Sequence, residues 1–205
     1  MRDYDGKTAA ERVAERRARL IDAGLELFGE HGFAGTSIRA VLRQAELRDR
    51  YFGESFANLD ELLAAVYDRL IDEEVVECRA AIEASGGQSD GARAMIESLT
   101  HSLQRNPGHA RVKLREVFSG GPVVSRQRQE GLNRLAKLVA DLLPDIDDVT
   151  ERSRILLARG IVAAADAYLL AWLDGDSGIT REEVVELVTQ LFDSVAASIA
   201  LSPAK

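Results

Sequence analysis

Apolar residues recur at spacings of three and four along almost the whole chain, and no stretch sustains the alternation of a half-buried strand between turn residues. The expected fold class is therefore all-α. Residues 9–31 put Val13, Leu20, Leu27 and Phe28 on one helical face, Gly24 leaves room for a close neighbour, and Gly32 suits a left-handed stop. Thr36 is the expected N-cap of a short second helix that buries Ile38, Val41 and Leu42 and ends near Gln44. A tight turn over Ala45, Glu46 and Leu47 leads to another short helical stretch, Arg48 to Phe52, with Phe52 and Phe56 facing inward. Helices this short are marginal alone, so both must lean on the first helix and on a fourth. That fourth opens with Asn58 and Glu61 as a capping box and runs for about 27 residues.

Residues 84–92, rich in glycine and serine, read as a loop. Further helices are expected over about 90–105, 109–119, 122–143, 150–174 and 180–201, separated by Asn106-Pro107-Gly108, Gly120-Gly121-Pro122, Pro144 and the turn at 173–178, which makes about nine in all. The stretch 155–173 is apolar nearly all round, broken chiefly by Arg159 and Asp166, so it wants partners on more than one side. The final helix opens with Thr180 and Glu183 as a capping box and carries Val184, Leu187, Val188, Leu191, Phe192, Val195 and Ile199 as a broad stripe. Two such helices doubled by symmetry bury the excess in a four-helix contact, so a homodimer through about 150–174 and 180–201 is expected.

With 205 residues and 46% apolar composition, the chain is long enough for one large core or two small ones. Its apolar runs read as shorter than the roughly 18–20 residues that cross a bilayer, and its first residues lack the apolar core of a signal peptide, which leads us to expect a cytoplasmic protein with no membrane partner. The lone Cys78 and three scattered histidines make no disulfide and no recognisable metal pattern, and no cofactor motif is present. Charge is uneven: residues 1–60 are nearly neutral, with 10 basic against 11 acidic side chains, whereas most of the net charge of −8 belongs to the rest. A nucleic-acid contact therefore needs arginines converging on one N-terminal face rather than a global positive field.

Residues 18–63, ARLIDAGLELFGEHGFAGTSIRAVLRQAELRDRYFGESFANLDELL, supply that arrangement. The segment resembles the DNA-binding head of the tetracycline-repressor (TetR) family: an amphipathic helix ending in Leu-Phe, then Gly-Phe, Thr-Ser-Ile, a helix-turn-helix, and an aromatic closing motif before an acidic-Leu-Leu start. Arg50-Tyr51-Phe52 followed by Glu54-Ser55-Phe56 looks like a variant branch of the family. The resemblance implies a three-helix head over 1–57, a helical ligand-binding and dimerisation domain over 58–205, and a ligand-responsive repressor that binds double-stranded operator DNA as a homodimer and is released by an unknown small-molecule effector. Two heads then enter successive major grooves, with Thr36, Ser37, Arg39 and Arg43 on phosphates and Arg48, Asp49, Arg50 and Tyr51 at base edges. Several positions depart from the family pattern: Glu46 stands for the usual turn glycine, Arg48 for a capping serine, Gly53 for a phosphate-reaching tyrosine, Ser55 for a histidine and Leu59 for a frequent lysine. A dimeric ligand-binding protein with weakened or lost DNA binding is accordingly the alternative.

Two further basic groups are candidates for the duplex: Arg12, Arg16 and Arg19 on one face of the first helix, which either approach phosphate or pair with Glu11 and Glu15, and the tail with Arg2 and Lys7. The family's ligand pocket implies inward candidates at Met95, Leu99, His101, Phe118, Tyr168 and Trp172, aromatic and apolar positions that equally suit a core. An enzyme is disfavoured. Glu73, Glu74 and Glu77 lack the histidine at i+3 of a bundle metal site, Asp145, Asp147 and Asp148 lack the glycine and closing glutamate of a calcium loop, and no nucleophile triad, phosphate loop or dinucleotide motif occurs.

Overall fold

In the computed structural model, residues 8–86, 88–145, 150–175 and 178–201 are described, and among them nine α-helices and one 3-10 turn occur with no strand. The tail with Arg2 and Lys7, and Asp147 and Asp148, lie outside the described residues. The helices are α1 (Ala9–His31), α2 (Ile38–Gln44), α3 (Arg50–Gly53), α4 (Leu59–Ser85), α5 (Gln88–Arg105), α6 (Pro107–Leu114), α7 (Pro122–Leu142), α8 (Glu151–Asp174) and α9 (Arg181–Ala200), with the 3-10 turn at Glu116–Ser119. The expected loop at 84–92 contracts to the residues around Gly86, whose φ of 81° ends α4, because Gln88 already begins α5.

Helix starts follow local chemistry. Thr8 and Glu11 form a capping box on α1, as Thr180 and Glu183 do on α9, while Thr150 accepts from the Ser153 N–H at the start of α8. On α4 the box is skewed: Asn58 accepts from the Glu61 N–H at 3.0 Å, but the Glu61 carboxylate accepts from Ala57 at 2.8 Å. The expected cap of α2 is corrected. Ser37, not Thr36, accepts from the Ala40 N–H, and the buried Thr36 hydroxyl donates back to the Gly32 carbonyl at 2.8 Å.

Packing divides the described chain into two compact units, one of residues up to Leu70 with Pro107–Arg128, the other of Ile71–Asn106 with residues from Gln129 onward. This differs from a division at 57/58, because α6 packs along α1. The two helices meet at glycines: a Cβ on Gly29 falls 2.9 Å from the Gly108 Cα. Arg111 of α6 donates to the Glu30 carbonyl at 3.0 Å, one of the last acceptors of α1, and to Glu116 at 2.9 Å. Glu116 in turn accepts from the Phe33 N–H at 2.7 Å, so one ion pair closes the C-terminal end of α1. Leu20, Phe28, Val41, Phe52, Phe56, Leu62, Leu63 and Val66 are buried in this unit. Gly24 takes Leu62 at the expected close approach, whereas Val13 is 41% exposed and adds nothing to the core.

In the second unit α9 packs on both α5 and α8. Val184, Val188, Phe192 and Ile199 are buried as the stripe requires, but Leu187 points out. Helix α8 corrects the sequence expectation on length: its 24 residues include an 18-residue window of mean hydropathy 1.6, long and apolar enough by composition to cross a bilayer. Only 28% of that window is buried within the chain, and Leu156, Gly160, Ala163 and Ala167, which recur at helical spacing, are all exposed.

The backbone contact at Gly29 leads to a directional expectation. Gly29→Ala is expected to lower stability by about 1–2 kcal/mol despite the better helix propensity of alanine, because the neighbour is main chain and cannot yield. Gly108→Ala, whose Cβ meets Gly29 only at an ordinary 3.6 Å, serves as the tolerated control in thermal denaturation.

Candidate nucleic-acid interface

The helix-turn-helix consists of α2, a turn and α3. The turn requires a left-handed residue, and it is Glu46 that takes it, at φ 52°, the only non-glycine with positive φ among the described residues. An L side chain in this region costs on the order of 1–2 kcal/mol, and glycine would avoid that. Beyond the turn, α3 is a single helical turn of four residues whose N-cap residue, Asp49, makes no side-chain capping hydrogen bond. A helix so short has negligible stability of its own. It is held from below by Phe52 and Phe56, both buried, with ring centroids 5.9 Å apart.

It is held from the side by α1. The Arg16 guanidinium lies 4.6 Å from the Tyr51 ring centroid and pairs with Glu54 at 3.0 Å. Arg17 lies 4.2 Å from the Phe56 ring and donates to the Ser55 carbonyl at 2.8 Å. Arg19 donates to the Ala45 carbonyl in the turn and reaches Glu46 at 3.4 Å. For Arg16 and Arg19 the contacts differ from both sequence readings. Both side chains are engaged on the helix-turn-helix rather than offered to phosphate, and Arg16 and Arg19 take their acids from 38 and 27 residues away rather than from Glu11 or Glu15. The one legible signal was the clustering of arginines upstream of aromatic residues; their partners come from across the fold.

On the opposite count, Ser37, Arg39, Arg43, Arg48, Asp49 and Arg50 are exposed, and Tyr51 is half-buried. The side chains of Arg39, Arg43 and Arg48 have no hydrogen-bond or ion-pair partner among the described residues, and Asp49 does not pair with Arg48. Arg39 and Arg43 lie one turn apart on α2. Arg50 donates to the Tyr51 hydroxyl at 2.6 Å, with its guanidinium 4.7 Å from the same ring, so Tyr51 is flanked by Arg16 and Arg50. The bond from Arg50 favours the phenolate and lowers the Tyr51 pKa, and it raises that of Arg50. Thr36 leaves the set, since its hydroxyl is spent inside the fold. Around Gly53 a Cβ meets nothing within 4 Å, so the surface is open where the resembling family carries a tyrosine.

The ligand-pocket candidates separate. Met95 and Leu99 are buried in the second unit, and Tyr168 and Trp172 are half-buried on α8. His101 is exposed and does not face inward; the neighbouring Thr100 is the buried residue. Phe118 is also corrected: it belongs to the first unit, is 63% exposed, and lies under the Arg128 guanidinium at 4.4 Å. Both misses share a cause, since aromatic or imidazole character does not by itself say which face of a helix is covered.

Comparison with known proteins agrees with this geometry. Residues 20–66 match the pattern of the bacterial regulatory proteins of the tetR family, which spans the second half of α1 through the first part of α4. The HTH-type transcriptional activator FasR of Mycolicibacterium smegmatis is 23% identical over 176 residues, covering 86% of this chain and 80% of that protein. Among solved structures, the fatty acid degradation regulator FadR of Bacillus halodurans superposes with a TM-score of 0.71 at 17% identity, over 86% of this chain and 94% of that one. The transcriptional regulator FadR of Bacillus subtilis, in complex with stearoyl-CoA, gives 0.68 at 15% identity, over 87% and 97%. The all-helical fold with an N-terminal helix-turn-helix is thus that of the TetR-type regulators.

Two measurements test these local contacts. Glu46→Gly and Gly53→Ala are each expected to raise the midpoint of thermal unfolding, the first by relieving the left-handed residue and the second by improving helix propensity by up to about 1 kcal/mol in open space. Separately, Arg50→Met is expected to move the Tyr51 titration up toward the ordinary phenol value of about 10, read from phenolate absorbance with Tyr51→Phe subtracted to remove the other tyrosines.

Proposed function

We propose that this chain is a ligand-responsive transcriptional regulator that binds operator DNA as a homodimer, with residues 1–57 reading the duplex and 58–205 dimerising and sensing a small molecule. The observation that carries the reading is the exposed set on the helix-turn-helix: Arg39, Arg43 and Arg48 without partners, beside Arg50 and Tyr51, on a chain whose net charge is −8. Cations gathered on one exposed face of an acidic chain make a local positive site that attracts an anion such as phosphate. Ser37, Arg39 and Arg43 contact phosphates, which position the head, while Arg48, Asp49, Arg50 and Tyr51 approach base edges, an arginine fork suiting guanine O6 and N7. The Arg-Tyr-Phe and Glu-Ser-Phe motif over residues 50–56 supports a place in a variant branch of the family.

The dimer forms through α8 and α9. Leu156, Gly160, Ala163 and Ala167 make an exposed, low-relief face on α8, and Leu187 is 37% exposed on α9, a pattern that a two-fold contact buries. The effector occupies the body, where Met95, Leu99, Tyr168 and Trp172 are the residues placed to meet it. Its action is a population shift: a small molecule that prefers dimers with mis-spaced heads lowers operator occupancy without touching DNA. The stearoyl-CoA held by the Bacillus subtilis FadR supports a ligand compartment in a body of this fold. The sequence led to a repressor, whereas the similar FasR is named an activator. The sign follows from where the operator lies relative to the promoter. The open surface at Gly53 favours weak operator binding as the second reading.

Arg50→Ala is expected to lower affinity for the operator by about 1–3 kcal/mol in a fluorescence-anisotropy titration while leaving the dimer intact. Wild-type affinity should fall steeply as salt rises, since each neutralised phosphate releases counterions. A wild-type chain that shifts no duplex at any salt concentration identifies the ligand-binding protein without DNA recognition. Ala163→Glu, which places a charge on the exposed face of α8, is expected to leave a folded monomer in sedimentation velocity.

A further inference from the structure

The row of arginines on α1 is not used by the reading above. Arg16 is outside the helix-turn-helix, yet its guanidinium covers one face of the Tyr51 ring at 4.6 Å while its terminal nitrogen is fixed by Glu54 at 3.0 Å. Arg50 contacts the same ring at 4.7 Å and holds its hydroxyl at 2.6 Å. Tyr51 is therefore oriented at its ring from α1 and at its hydroxyl from within α3. The four residues of α3 supply no more than one helical turn to do this themselves.

From this arrangement, and resting on the proposed DNA-binding role, we infer that Arg16 is a positioning residue for base recognition: it stacks on Tyr51 so that Tyr51 and Arg50 meet the major groove as one preorganised pair. Glu54 completes the device by anchoring Arg16 on α3's own C-terminal flank. The role needs a flat, delocalised cation with a fork of donors. Lysine, a point charge on a flexible stem, cannot both stack and hold Glu54 in that geometry. It differs physically from a phosphate contact, for which lysine serves nearly as well.

The test uses the full-length dimer and the duplex that the wild-type chain enriches from a randomised pool. Arg16→Lys and Arg16→Met are both expected to weaken binding by about three- to tenfold, with the slope of log affinity against log salt unchanged. Both are further expected to relax base preference at the positions that Arg50→Ala relaxes. Combined with Tyr51→Leu, neither Arg16 variant should weaken binding further, since the two side chains act as one unit. Glu54→Gln, which keeps the Arg16 charge but frees its anchor, is expected to reproduce part of the loss, and a wild-type melting midpoint in Glu54→Gln separates positioning from a general loss of fold. Wild-type affinity in Arg16→Lys, a salt slope reduced by about one in Arg16→Met, or full additivity with Tyr51→Leu overturns the inference and makes Arg16 a phosphate contact or a bystander. If the wild-type chain enriches no duplex, the DNA-binding reading falls first and this one with it.

Discussion

A single turn of helix cannot hold its own shape in water, and the second helix of the helix-turn-helix is one such turn. Arg50–Gly53 exists because Phe52 and Phe56 are buried beneath it and because α1 grips it from the side through Arg16 and Arg17. The grip is made of planar cations on aromatic faces together with hydrogen bonds to a carboxylate and a carbonyl. Such contacts are directional, so they set orientation as well as proximity. The turn before α3 is held likewise, with Arg19 on the Ala45 carbonyl beside a strained Glu46.

The same first helix is tied at its other end. Gly29 and Gly108 allow the α1 and α6 backbones to meet, and the Arg111–Glu116 pair satisfies groups that the end of α1 leaves open. Hence Pro107–Arg128, remote in sequence, folds with the head. Near 120 the tie is repeated, since the Gly121 N–H donates to Asp60 at 2.5 Å and Gln127 donates to Asp68 at 2.7 Å. The unit that holds the helix-turn-helix thus includes a segment whose neighbours in the chain belong to the other unit.

The second unit keeps an apolar helix largely uncovered. Helix α8 pairs with α9 yet exposes Leu156 and Leu157 and a run of small residues, while α9 is half-covered by α5 and α8. Exposed apolar surface of this kind is costly in water, and it is the face on which the proposed dimer rests. Low relief at Gly160 and Ala163 lets a second helix approach closely, which dispersion forces reward.

What the sequence determined by itself was periodic or local. Helix ends are set by caps and glycines within a few residues, so Thr180 with Glu183, Gly32, and the span of α4 were legible, and the glycine-cap-aromatic pattern of 18–63 was specific enough to carry the likeness matched over residues 20–66. Tertiary structure decided whatever depended on partners far along the chain. Thr36 and Ser37 are both capping residues by type, and only the position of the Gly32 carbonyl turned one inward. His101 and Phe118 have the chemistry of pocket residues but landed on uncovered faces. Arg16 found Tyr51 and Glu54, 35 and 38 residues away, because the fold brings α1 alongside α3, and a one-dimensional pattern carries no record of which distant side chain will lie across from it.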